Sequence, residues 1–191
     1  MLSRTTAAAA LLLAAATVIL AQAPAKKAEP APKPAVAESE EALAAWNEVG
    51  RRLIAMAEDM AEAKYAYQPN QDTRTFAAIL LHVAGSNYYY TNAVTGREVA
   101  KAEDDPPQEK YKTKAQVVAF LKKSYADGAA LIKGVSREKW EKPIQHPWRN
   151  EMIHPHSLWS EGVGHGSEHY GNLVTYYRIH GLVPPESRPK K

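Results

Sequence analysis

The chain has 191 residues, with 24 Lys and Arg against 21 Asp and Glu, and no cysteine. Lack of thiols excludes disulfides, thiolate zinc sites, iron–sulfur clusters and cysteine nucleophiles, so any metal must be held by nitrogen and oxygen. The formal charge of +3 sits in the ends: between Glu38 and Ser187 there are 17 basic and 20 acidic residues, a net −3, and the basic face that nucleic acid requires is missing.

The chain begins with a basic "MLSR", an apolar "TTAAAALLLAAATVIL" and a small-residue "AQAPA". This layout predicts a secretory signal peptide over residues 1–25, cleaved after Ala23 or Ala25, and hence a periplasmic or extracellular protein. An uncleaved N-terminal anchor is the alternative, and no other membrane contact is expected. Residues 26–37, rich in proline and alanine, read as an extended linker. Residues 188–191 form a basic tail, leaving 38–187 as the domain.

Four segments carry helical periodicity. The first runs from about Ser39 to Ala63, with Leu43, Trp46, Val49, Leu53, Met56 and Met60 on one face. The second runs from Asp72 or Thr73 to about Val94 and is stopped by Gly96; His82 falls close to its apolar stripe. The polar loop "AEDDPPQEKY" precedes a third helix from about Lys114 to Val135. A long connection with three prolines follows, in which residues 144–154 could pair briefly as strands. Its Trp140 and Trp148, with Trp159 beyond, suggest a segment that packs down as a cap. The fourth helix is expected from His156 or Ser157 to Ile179, ended by Gly181. Four amphipathic helices predict an all-α four-helix bundle.

The fourth helix contains "HGSEHYGNL", residues 165–173. His165 and His169 are one turn apart and share a face, so both rings can reach one ion. The alternative is a frayed helix with solvent-facing histidines. His82, near another helix's inward face, is the candidate third ligand, because bundle metal sites draw on facing helices; a histidine hydrogen-bonded to a neighbouring helix is the other reading. Gly162, Gly164 and Gly166 suit a place where another backbone or a substrate comes close. Glu168, three residues after His165, is the candidate base; a solvent-facing glutamate is the other reading. The same stretch fits the inverted zinc-protease motif H-x-x-E-H, but only Glu186 remains downstream as an acidic third ligand, beyond the helix stop. His154 and His156 read as loop residues or pocket-mouth residues. Arg74 and Arg178 read as salt-bridge partners or as an anchor for an anionic substrate, and Tyr88, Tyr89 and Tyr90 as cover for a surface or an oligomer seam.

"TRTFAAILLHVAGSNYYY" and "HGSEHYGNLVTYYRIHGLVPPES" resemble the DinB-like superfamily, also called DinB/YfiT, across nearly all of residues 39–187. The resemblance implies an up-and-down four-helix bundle with an unusual connection between the second and third helices, and a metal on His82, His165 and His169. Many members carry Arg-Gly-Gln after the last histidine; here it is Tyr170-Gly171-Asn172. The expected cofactor is a divalent ion, zinc or nickel first, with iron or manganese behind. The expected activity is that of a metal-dependent hydrolase or thiol-type transferase on a small molecule; the alternative is a non-catalytic exported module that binds a metal or small ligand. No nucleic acid is expected as a partner, and a homodimer is the assembly to look for.

Overall fold

The computed structural model describes residues 38–97 and 105–189. The expected signal peptide, linker and last two tail residues lie outside them. Four long helices form the bundle: α1 (Glu38–Asp59), α2 (Phe76–Val94), α3 (Lys114–Gly134) and α5 (Pro155–Ile179). Between α3 and α5 lie a short helix α4 (Arg137–Glu141) and a two-stranded antiparallel hairpin, β1 (Ile144–Gln145) and β2 (Met152–Ile153), within the segment expected to pair.

The boundaries follow local chemistry. Thr75 caps α2 by accepting the Ala78 amide, so α2 starts later than its periodicity suggests. Thr113 and Gln116 form a reciprocal capping box at the start of α3. The last carbonyls of α1 would be orphaned inside the molecule. Tyr177 Oη donates to Met56 O at 2.8 Å and Tyr65 Oη to Ala57 O at 2.5 Å; Lys114 Nζ donates to Glu58 O and Met60 O. The three donors come from α5, from the turn after α1, and from α3.

Those same contacts set helix direction. The end of α1, the start of α3 and the end of α5 share one pole of the bundle, and the start of α2 joins them through Tyr176 Oη, which donates to Arg74 O at 2.5 Å. The helices therefore run up, down, down, up. Both α1 and α2 pack against α3 and α5, which puts α1 and α2 on one diagonal. Because α2 and α3 are parallel, the chain between them must travel back along the bundle, about 30 Å for a helix of this length. This is the unusual connection that the family resemblance implies.

The core is one apolar cluster. Trp46 lies at its centre, packed on Trp159 and Tyr125, with its indole N–H donating to Tyr125 O at 2.9 Å. Trp140 and Trp159 are buried as expected, whereas Trp148, in the hairpin turn, stays 43 % exposed. At the far end of the chain, Arg188 forms a double hydrogen bond with Asp59, at 2.7 and 2.6 Å, and Glu186 pairs with Arg51 at 2.7 Å. Arg188, assigned above to a basic tail, thus straps the chain end onto α1.

Candidate metal centre

Helix α5 buries Leu158, Gly162, Gly166, His169, Leu173 and Tyr176 along one side, the stripe expected of a bundle helix. Gly166 is required there: a Cβ would stand 2.8 Å from a Val49 methyl and 2.9 Å from Tyr125 Oη. Gly162 accommodates the Tyr90 ring, 3.1 Å from the same hypothetical atom. Gly164 meets nothing and faces solvent, so the expected close approach holds at two of the three glycines.

His82 and His169 are buried and His165 half-buried, and their rings meet edge to face. The Nε2 atom of His165 lies 3.1 Å from Nε2 of His82 and 3.1 Å from Nε2 of His169. With metal–nitrogen bonds of about 2.1 Å, a 3.1 Å separation subtends about 95° at a shared ion, within the range of three-histidine sites. Among the described residues this is the one group of His, Asp and Glu side chains spaced to hold a metal.

The outer nitrogens decide which way the lone pairs point. His82 Nδ1 is 3.0 Å from Oδ1 of Asp105, a carboxylate that can only accept. The proton therefore sits on Nδ1, and the Nε2 lone pair faces the cluster. Asn172 Nδ2 is 3.4 Å from His169 Nδ1, and the ring takes the same tautomer when that amide is turned over to present its oxygen. Ring nitrogens converging at 3.1 Å need a proton or a cation between them, and three imidazole nitrogens within reach of one point are a donor set that fits a divalent metal. Burial first, then the neighbouring imidazoles of His165 and His82, push the His169 pKa down to about 3. His169 thus stays neutral, the form a ligand needs.

Asp105 was not singled out by its sequence context. Its only marker is its place before Pro106-Pro107, where the backbone is stiff. It also receives Arg74 Nη2 at 3.0 and 3.3 Å, so the salt bridge expected of Arg74 is formed. A cleft of about 440 Å³ opens beside His169 and Asn172, and one of about 400 Å³ beside His82 and Asp105. On the remaining side, Tyr90 packs against His165, and Trp148 from the hairpin turn packs on Tyr89 and Tyr90. Below that turn, buried His146 accepts the Trp148 and Arg149 amides on Nδ1 and points Nε2 toward Glu161.

Other candidates lie elsewhere. Glu168 is exposed on α5 and belongs to no metal-spaced group; it is about 100° around the helix from His169. His154 and His156 stack on each other near Glu141 and Glu38, at the start of α5, and stand apart from the histidine cluster. Tyr88 bonds Asp127 and stacks on Phe120, a surface role.

A family model described as the DinB superfamily matches residues 45–173, a span that contains all three histidines. Two solved structures from Bacillus subtilis share the fold. One is YfiT, described as a probable metal-dependent hydrolase with an unusual four-helix bundle topology: 17% identical, covering 79% of this chain and 93% of that one, TM-score 0.61. The other is a DinB-like protein, YjoA: 15% identical, covering 78% and 99%, TM-score 0.62. At these identities the likeness shows the fold alone. No curated protein matches the chain.

Proposed function

This chain belongs to the DinB superfamily, and on that basis we propose that it is a metal-dependent hydrolase of small molecules whose ion is held by His82, His165 and His169. The convergence of three Nε2 atoms, with a carboxylate behind one ring, carries the reading. Three neutral protein ligands leave coordination positions open, as catalytic sites do and closed structural sites do not. An all-imidazole set suits zinc or nickel better than manganese. Bound there, a divalent ion supplies Lewis-acid polarisation and activation of water.

The chain's own residues do the rest. Asp105 and Asn172 orient two ligands, the cleft beside His169 admits a substrate, and Tyr90 with Trp148 covers the opposite side. Glu168 would act as a base only by swinging back over His165, and Glu168→Gln tests that role directly. Export follows from the N-terminal layout and favours water over a cytosolic thiol as the second substrate. It is checked by finding a mature N-terminus near residues 24–26 in protein from the natural host. No helix among the described residues is long and apolar enough to cross a membrane.

The deciding experiment is substrate profiling of zinc- and nickel-loaded protein beside His169→Ala. Turnover that vanishes in the variant is the expected outcome. Metal binding with no turnover across ester, amide and phosphoester panels favours the second reading, a binding module; the absence of a carboxylate from the metal-spaced group is what speaks for it.

A further inference from the structure

Resting on the reading of the cluster as a hydrolytic centre, we infer that the substrate carries an oxyanion, and that Arg74 is the residue that docks it. Arg74 lines both clefts, one of which has His169 in its lining and the other His82. Of the side chains lining the cleft beside His169, Arg74 is the one fixed cation. Asp105, which pairs with Arg74, also bonds His82 Nδ1, so the guanidinium is tied directly to the histidine cluster.

Arg74 is also held in place. Tyr176 Oη fixes its carbonyl to the helix that carries His165 and His169. Asp105 takes Nη2 alone, leaving Nε and Nη1 without a protein partner among the described residues. A guanidinium has five N–H donors in a rigid fork. One edge is spent on orientation, and the remaining donors suit the paired oxygens of a carboxylate or phosphate. Asp72 lies on the rim of the same cleft and repels an oxyanion there, which directs it to the Arg74 end.

The rest of the cleft describes the substrate's body. Pro69, Ile79, Tyr176 and Ile179 supply an apolar wall, and about 440 Å³ is the scale of a small organic molecule. The substrate class is therefore a compact apolar group bearing one oxyanion, with its scissile bond between Arg74 and the histidines. Carboxylate and phosphate share this chemistry.

Binding of benzoate, phenyl phosphate and neutral benzyl alcohol, read by NMR titration, tests the assignment. Each is measured with zinc-loaded and with chelator-stripped protein, for wild type, Arg74→Gln, Arg74→Lys and His165→Ala. At least one anion should bind wild type more tightly than the alcohol, and the stronger of the two anions identifies the source. Arg74→Gln should weaken that anion by at least about tenfold in both metal states, with Arg74→Lys between, because charge-assisted bonds are lost. Benzyl alcohol should be unmoved. Equal anion binding in wild type and Arg74→Gln, no preference for either anion over the alcohol, or a loss confined to His165→Ala would overturn the assignment. Failure of the metal reading shows separately, as zinc binding left unchanged by His165→Ala, while the chelator-stripped arm still judges Arg74.

Discussion

Each histidine of the cluster contributes one nitrogen, and two nitrogens on one helix cannot enclose an ion. His82→Ala should therefore lower zinc affinity about as severely as His165→Ala, though 83 residues separate them. His180→Ala should leave it unchanged, since His180 contacts Lys64 and Tyr67 instead. Competition against a chromophoric chelator measures all three. Asp105→Asn keeps the shape but lets position 105 donate, which releases the His82 tautomer. Losses at such outer positions are about 10–100-fold in metal affinity, with helix content unaltered in circular dichroism.

His169 also couples stability to pH in the metal-free protein. Its folded pKa, about 3, is below the unfolded value near 6.5. Between those limits the unfolded state binds more protons, so stability falls as pH drops below about 6.5 and goes on falling toward 3. Urea midpoints at pH 7.5 and 5 should differ more for wild type than for His169→Gln; equal differences would remove His169 as the source. The histidine trio was legible because one-turn spacing and an inward stripe are properties of the string itself. Asp105 was not, because it is 23 residues from His82 on a non-periodic loop, and only the fold brings it back.

At the scale of elements, the glycines separate into those that pack and those that do not. At Gly164 and Gly171 a Cβ would meet nothing, so alanine there should stabilise α5 by up to about 1 kcal/mol each through helix propensity. At Gly128 a Cβ would overlap the Trp46 indole, and Gly128→Ala should destabilise by about 1–3 kcal/mol as the core is forced apart. Thermal denaturation should show the two classes moving in opposite directions. Helix existence was readable from the apolar stripes, and the ends of α3 and α5 fell within a residue or two of their signals. The start of α2 was misplaced because Asp72 and Thr73 are plausible caps, whereas Thr75 makes the bond. Helix α4 was missed, since five residues carry too little periodicity to register.

At the scale of the whole molecule, the four-helix class follows from amphipathicity, but helix direction does not. An apolar stripe reads the same up or down, so the parallel pairing of α1 with α5 and of α2 with α3 became visible only through contacts such as Tyr177 to Met56. That arrangement makes the last helix indispensable. A chain ending before Pro155 loses two of the three clustered histidines and uncovers faces of both α1 and α2. It should lack a cooperative urea transition, whereas removal of Lys190 and Lys191 alone should leave the transition in place.

Pairing of the first helix with the last also sets a clock. Tyr177 follows Met56 by 121 residues, which at about 5–20 residues per second means about 6–24 s of synthesis between the carbonyl and the hydroxyl that caps it. Until then the apolar face of α1 has no permanent neighbour on its α5 side, and such sequence-distant contacts also slow folding after release. The same order of helices leaves His82 without its two α5 neighbours until at least 83 further residues have been made.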